Sequence, residues 1–291
     1  MREGSYVMGK IGLVLEGGGQ RGIYTAGVLD VLMENDIYVD GVIGVSAGAI
    51  RASSYVTKQI GREYKYTMDY CKDKRYMSIY SLIKTGDIVG KEFCYSIIPK
   101  ELNKFDYEGF RKSDIDYYVT CSNLETGEAE YIKCTDLDNE RDSDYLRASA
   151  SLPLVSTIVE VDGKKLLDGA TCDSIPVMAF RKMGYLKNIV VLTRPKGYKK
   201  SKEKMMNIIK RKYKKYPKYI KRCAERHEMY NKTLKDIKKL EDKKEAIVIA
   251  PSKNIKISRM ERNTKKLQEL YELGRKDALD NLEKIQKFFK V

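Results

Sequence analysis

The chain has 291 residues but no tryptophan, a single histidine, six prolines and six cysteines. Each scarcity excludes something. One histidine, His227, leaves no set of imidazoles to bind a metal, and the cysteines at 71, 94, 121, 134, 172 and 223 form no CxxC pair. A chain of this length can bury a sizeable core without disulfide staples, so scattered reduced thiols in a reducing compartment are expected. No run of about 18 apolar residues occurs, so no membrane-spanning helix is expected. The opening MREGSYVMGK has no apolar stretch of signal-peptide length. The expectation is a cytoplasmic protein, with peripheral contact at a membrane as a further option.

Hydrophobic residues make up 42% and charged residues 33%, a folded composition with a polar surface. The net charge of +15 is concentrated. Between Lys196 and Glu245 there are 20 Lys or Arg against 7 Asp or Glu, which leaves the rest of the chain nearly neutral. Such a block suits an anionic partner: a membrane surface, nucleic acid or an acidic substrate. It equally suits a solvated helix face.

Ile11 to Leu15 is a short apolar run ending in glycines, the pattern of a buried parallel strand. Ile23 to Glu34 has helical spacing. Val39 to Val45 is a second apolar strand, and Ala49 to Thr57 suits a helix. This alternation begins a doubly wound α/β sheet. The Tyr- and Lys-rich stretch 61–110 reads as helices with loops, and a lid there has no specific pattern to support it. Ile115 to Asn123 and Glu130 to Cys134 form a hairpin, Asp142 to Ser151 a helix, and Val159 to Leu167 a second hairpin around Asp162-Gly163. Asn188 to Thr193 is another strand. Lys199 to Lys244 is mostly helical with Pro217 as a break. Ala246 to Ala250 is a last strand, and from Glu261 onward an amphipathic helix pair follows, with Gly274 as the candidate interruption. The fold class is α/β, a mostly parallel central sheet flanked by helices, plus a C-terminal helical extension. The expected division is 8–195 as the catalytic unit and 196–291 as a basic, mostly helical extension with one strand, packed on the core.

The strongest single motif is Gly44-Val45-Ser46-Ala47-Gly48. A GxSxG between strand and helix fits a nucleophile elbow, where small flanking residues let the turn lift the serine hydroxyl above the sheet. An ordinary tight turn would look the same over five residues. The second motif is Gly17-Gly18-Gly19-Gln20-Arg21-Gly22. As a GxGxxG fingerprint it would bind a dinucleotide, but the acidic ribose ligand is missing from the end of the next strand, which runs instead into Ser46. The alternative is an oxyanion hole, in which glycine amides approach the substrate closely and Arg21 adds charge or braces the loop. A serine nucleophile needs a base. His227 lies in a basic helical stretch between Arg226 and Glu228, a poor context for catalysis. The remaining base is a carboxylate, and Asp168, before Gly169-Ala170 at a strand end, is one of many candidates on composition alone.

Together, Gly17-Gly18-Gly19-x-Arg21-Gly22, Gly44-x-Ser46-x-Gly48 and Asp168-Gly169-Ala170 resemble the signature blocks of bacterial patatin-like phospholipases. Ala148-Ser149-Ala150-Ser151-Leu152-Pro153 is similar to a fourth block, which precedes the catalytic Asp. The resemblance covers roughly Ile11 to Thr193, with Ala170 where many members have glycine. It implies a three-layer patatin-like fold and a serine lipid acyl hydrolase, phospholipase A or esterase in type, with no metal or cofactor. Ser46 and Asp168 would form a catalytic dyad, with the amides of Gly17 to Gly19 and Arg21 at the oxyanion. Gly22, Gly44, Gly48, Gly169 and Ala170 would support the motifs. The expected partner is a lipid or acyl ester. The basic stretch 196–245 would meet an anionic membrane, with Tyr213, Tyr216 and Tyr219 near the headgroups. Those tyrosines would equally serve as the half-buried side of a helix. Rival readings are an esterase, thioesterase or acyltransferase on soluble acyl compounds, a nicotinamide enzyme, and a non-catalytic module that binds anionic surfaces. No nucleic-acid fold signature is present, and oligomeric state is not legible.

Overall fold

The computed structural model describes residues 9–290. Residue 8, where the expected catalytic unit begins, most of the segment weighed as a signal peptide, and Val291 lie outside the described residues.

β1 (Ile11–Leu15) leads through the glycine loop and a 3-10 turn at Gly19–Gly22 into α1 (Ile23–Glu34). β2 (Gly41–Val45) runs directly into α2 (Ala47–Val56). The Tyr-rich stretch folds as α3 (Arg62–Tyr70), α4 (Ile79–Thr85), a π-helix at Phe93–Leu102 and α5 (Tyr107–Arg111). Next come β3 (Asp116–Asn123), β4 (Ala129–Lys133), α6 (Glu140–Ser149), β5 (Val159–Val161), β6 (Lys164–Asp168), α7 (Val177–Lys182) and β7 (Lys187–Val191). The chain ends with α8 (Met206–Lys212), α9 (Pro217–Asp242), β8 (Ala246–Ile249), α10 (Thr264–Asp280) and α11 (Leu282–Phe289).

One mixed sheet runs β5-β6-β3-β2-β1-β7-β8, with β4 also paired to β3. The five strands from β3 to β8 are mutually parallel, while β4, β5 and β6 pair antiparallel. The parallel strands bury both faces, which is why they appear in sequence as unbroken apolar runs. Leu13, Leu15, Val42 and Ile189 face one layer, with residues of α1, α2, α10 and α11. Val14, Ile43, Val190 and Val248 face the other, with Val177 and Phe180 of α7 and Tyr230 and Ile237 of α9. The result is three layers, helix on sheet on helix.

Two details differ from the sequence expectations, and a third decides a point they left open. Gly274 does not interrupt the last helices. It lies inside α10, and the break falls at Asn281. Gly274 is there for packing: a Cβ would collide with the carbonyl oxygen of Tyr24, just as one at Gly27 would collide with that of Tyr271. α1 and α10 therefore approach backbone to backbone. The seam is sealed by Tyr24 Oη donating to Asp277 (2.9 Å) and Tyr271 Oη donating to Asp30 (2.7 Å). Arg275 adds a bidentate pair with Glu34 at 2.8 Å for each bond. Second, α7 was not anticipated, because six residues are too few to show a helical period. Third, of the two readings open for Tyr213 and Tyr219 the structure takes the buried one: both are fully buried, clustering with Leu124, Leu167, Ile209 and Cys223. They are core residues and do not face headgroups, because the aromatic side of α8 and α9 is the side that packs.

Alanine gains about 1 kcal/mol over glycine in an open helix. At Gly274 the collision outweighs that gain. Gly274→Ala is expected to destabilise by about 1–3 kcal/mol, the range for overpacked sites, read as a lowered urea midpoint at unchanged slope.

Candidate active site

The register of β3 sets the site. Val45, the last residue of β2, pairs with Thr120, and Asp168, the last residue of β6, pairs with Cys121. β4 occupies the other edge of β3 over Tyr118–Ser122. β2 and β6 therefore share one edge and run toward each other end to end. Ser46 and Asp168 leave the sheet at that meeting point.

Ser46 has φ 55° and ψ −126°, a conformation costly for a residue with a side chain, and is 6% exposed. The surroundings hold it. Its amide donates to Ser149 Oγ at 2.9 Å, and Ser149 Oγ donates to the Thr120 carbonyl at 2.7 Å. Its carbonyl accepts from Ile50 N at 3.2 Å, joining it to α2. Side chains at Gly44 and Gly48 would strike the backbones of Ala49 and Leu15. The small residues flanking the serine are thus required by crowding.

Asp168 is 2% exposed. Its amide donates to the Ser151 carbonyl at 2.8 Å, its own carbonyl accepts from Ser122 Oγ at 2.8 Å, and its Oδ1 accepts from the amide of Ala170 at 2.8 Å. Gly169 packs against the Thr120 carbonyl, with no room for a Cβ. Burial raises the Asp168 carboxyl above the usual carboxylate range. The Ala170 amide, Arg226, the neighbouring Ser46 hydroxyl and Arg259 act in the opposite direction.

The glycine loop lies over Ser46. A Cβ on Gly17 would sit 2.8 Å from the Val45 carbonyl and 3.0 Å from Ser46 Cβ. Gly19 adopts φ 58°, and Gln20 N–H donates to the Arg259 carbonyl at 3.0 Å. Among the described residues the amides of Gly17, Gly18 and Gly19 have no protein acceptor. Gly22 abuts Ala47, which tucks the loop against α2. Arg21 is 8% exposed, and burial, with Arg194 and Arg259 nearby, pushes its guanidinium down to about 10.

Ser46, Asp168, Gly17 to Gly19, Arg21 and Ala170 line one polar cleft. Ser46 also lines a second, largely apolar cavity walled by Ile50, Tyr66, Tyr76, Met77, Val89 and Leu152. That cavity shares Ile50, Tyr66, Val89 and Tyr95 with a further apolar pocket reaching Ile98, Phe105 and Leu146. The stretch 61–110 thus supplies walls to both apolar pockets. His227 does not line the cleft, and its Nδ1 lies 3.0 Å from the Ala224 carbonyl on its own helix. Among the described residues, no three His, Cys, Asp or Glu converge as a metal site.

Segment 196–291 also reaches the cleft. Lys200, Arg226, Tyr230 and Arg259 line it, with Arg194 and Tyr198 from the loop after β7. Sequence reasoning missed all six. The only available signal was the spacing of Arg226 and Tyr230, four apart on one helix face, inside a block that otherwise resembles a solvated surface. The same segment adds β8 to the sheet and α10 to the face of α1.

The patatin-like phospholipase family model matches residues 13–181, more than half of the sequence. The chain belongs to the patatin-like phospholipase family. A second model, Domain of unknown function (DUF6363), matches residues 216–290. Among similar proteins, the Uncharacterized protein YjjU of Escherichia coli is 29% identical over 64% of this chain and 53% of its own length. Lysophospholipase NTE1 of Saccharomyces cerevisiae is 31% identical over 60% of this chain and 10% of its own. The patatin-like chain thus spans about half of the first relative and a tenth of the second. Among solved structures, VipD from Legionella pneumophila aligns with a TM-score of 0.47 at 13% identity, covering 94% of this chain and 67% of that one.

Ser149 supports the Ser46 turn from a block 103 residues away. Ser149→Ala leaves the buried Ser46 amide without an acceptor and is expected to destabilise by about 1–3 kcal/mol. Urea unfolding checks this, and a change under about 0.5 kcal/mol, the usual range for a neutral surface substitution, would remove Ser149 from the account.

Proposed function

We propose that the chain is a serine lipid acyl hydrolase working through a Ser46–Asp168 dyad. The observation that carries this is the position of Ser46, which lines both a polar cleft containing Asp168 and a largely apolar cavity. In this reading the acyl chain lies in the cavity and the ester carbonyl sits over Ser46. The Ser46 hydroxyl passes its proton to the Asp168 carboxylate as Oγ attacks the carbonyl carbon. The unpaired amides of Gly17 to Gly19 receive the oxyanion. As the tetrahedral intermediate collapses, Asp168 returns the proton to the departing alkoxide. Water then loses a proton to Asp168 and attacks the acyl-Ser46, and the proton finally goes back to Oγ. The name of the NTE1 relatives, lysophospholipase, supports a lipid ester over a soluble one, as does the apolar lining beside Ser46. Rates on short soluble esters against lipid vesicles separate this from the esterase, thioesterase and acyltransferase readings.

Ser46→Ala and Asp168→Asn are expected to lower kcat/KM by about 10³-fold or more, as for other members of a catalytic unit. His227→Ala is expected to stay within about twofold. A wild-type rate in Ser46→Ala would end this reading.

The pH profile carries its own sign. Burial raises the Asp168 carboxyl, and the base works only when ionised. The acid limb of kcat/KM should therefore fall above the range of an ordinary carboxylate, with activity lost as pH drops through it. The residual activity of Asp168→Asn should lack this limb.

The outward lysines Lys210, Lys214, Lys218 and Lys221 are the proposed contact to an anionic membrane. Binding to anionic vesicles through them should weaken as salt shortens the screening length from about 10 Å at 0.1 M to about 3 Å at 1 M. Binding that does not change with salt would exclude them as the contact.

A further inference from the structure

We propose that the cations of the Ser46 cleft form a subsite for a phosphate on the alcohol side of the ester, so that the preferred substrate is an acyl ester carrying a phosphate monoester near the scissile bond. This rests on the hydrolase reading above.

Five cationic side chains line the cleft: Arg21, Arg194, Lys200, Arg226 and Arg259, brought from widely separated parts of the chain. Among the described residues none of the five has an ion-pair partner within 4 Å. Exposed lysines of the same basic block either pair, as in Lys221–Glu225 and Lys238–Asp242, or stand in solvent, as do Lys210, Lys214 and Lys218; the five differ in being unpaired inside a cleft. The carboxylates nearby are otherwise engaged. Glu16 accepts from Thr193 N (2.6 Å), Thr193 Oγ1 (3.1 Å) and Tyr230 Oη (2.7 Å). Asp168 accepts from Ala170, and Glu203 accepts from Met205 N at 3.0 Å. Arg21 is more than nine-tenths buried, and its Nε has no acceptor, nor has the Nε of Arg226.

The cations also act on one another. Burial comes first and neighbouring cations second in lowering Arg21, in bringing Lys200 down to about 8, and in lowering Arg259. A site that gathers unpaired cations against their mutual repulsion is one that an anion relaxes. The single oxyanion of the tetrahedral intermediate does not account for five of them, since it lies at the glycine amides. A phosphate does, because its oxygens accept several charge-assisted bonds at once and arginine forks match that geometry. A zwitterionic headgroup fits less well. The two tyrosines that could receive a quaternary ammonium are already faced by cations, with Arg194 4.8 Å from the Tyr198 ring centroid and Lys200 5.5 Å from that of Tyr230. The apolar cavity that also reaches Ser46 is lined by none of the five cations, which leaves the cationic cleft to the alcohol half of the ester. The reaction is then acyl glycerol phosphate plus water to fatty acid plus glycerol phosphate.

The test compares three substrates with one acyl chain: a monoacylglycerol, its choline phosphodiester and its phosphate monoester. The phosphate monoester is expected to have the highest kcat/KM, by at least about tenfold over the neutral ester, a modest share of what several charge-assisted bonds can supply. The double variant Arg194→Gln/Arg226→Gln should lower that ratio by about tenfold or more. A ratio cancels any partial loss of folded protein. Inorganic phosphate should inhibit competitively against the phosphate monoester.

A separate arm needs no turnover. The Ser46→Ala protein should bind inorganic phosphate and glycerol phosphate by calorimetry, and adding the two Gln substitutions should weaken both by about tenfold. A wild-type ratio of one or below, or a ratio the double variant does not move, overturns the proposal. So does phosphate that binds without competing with substrate, since that would be a separate anion site. If no ester is hydrolysed but phosphate still binds through Arg194 and Arg226, the hydrolase reading falls and the anion subsite stands. If esters are hydrolysed without phosphate preference or phosphate binding, the subsite falls and the hydrolase reading stands.

Discussion

β2 and β6 occupy the same edge of β3 and end on consecutive residues of it, Thr120 and Cys121. Everything in the cleft depends on this seam. The two strands arrive from opposite directions, so neither can continue. Both chains must leave the sheet there, one through the strained turn at Ser46 and the other through Gly169. The Thr120 carbonyl sits at the centre. It accepts from Ser149, which in turn accepts from the Ser46 amide, and it leaves no room for a side chain on Gly169. A slip of one residue in β3 would turn its side chains to the opposite face and separate the two strand ends.

The seam explains why the backbone strain at Ser46 persists. A serine at positive φ survives only where its neighbours over-determine it. Here the constraints come from four elements: β3 through Thr120, α6 through Ser149, α2 through Ile50, and the glycine loop through Gly17. The same crowding keeps water from Asp168. Burial therefore raises its carboxyl.

Around the seam the molecule divides its chemistry by side. The helices of 61–110 supply apolar walls, and the C-terminal segments supply cations. The basic block is correspondingly of two kinds. Lys210, Lys214, Lys218 and Lys221 point outward, while Lys200 and Arg226 line the cleft. The extension is joined to the rest through β8 in the sheet and through the backbone-to-backbone contact of α1 with α10 at Gly27 and Gly274, which gives its inward cations a fixed position beside Ser46.

Much of this was legible in the residues. Unbroken apolar runs marked the parallel strands, because burial on both faces removes the alternation of a half-exposed strand. Gly44 to Gly48 marked the tight turn, because crowding at a strand–helix junction admits only small residues. Asp168 was different, since composition made it one carboxylate among many and only its resemblance to a family motif singled it out. Local pattern also misjudged Gly274, whose helix-breaking tendency is overridden by the need for α10 to touch α1, and left Tyr213 and Tyr219 open, because their helical stripe fits a core as well as a membrane. Of the cationic cleft only Arg21 was legible, through its place in the glycine loop. Arg194 with Lys200, Arg226 and Arg259 come from separate segments, and each alone reads as an ordinary surface cation. By itself, then, the sequence determined the strand–turn–helix units and the small residues at their turns, because those depend on neighbours within a few positions. Only the tertiary structure decided which carboxylate meets Ser46 and which cations turn inward, because both depend on the pairing of β3 and on helices packed from the far end of the chain.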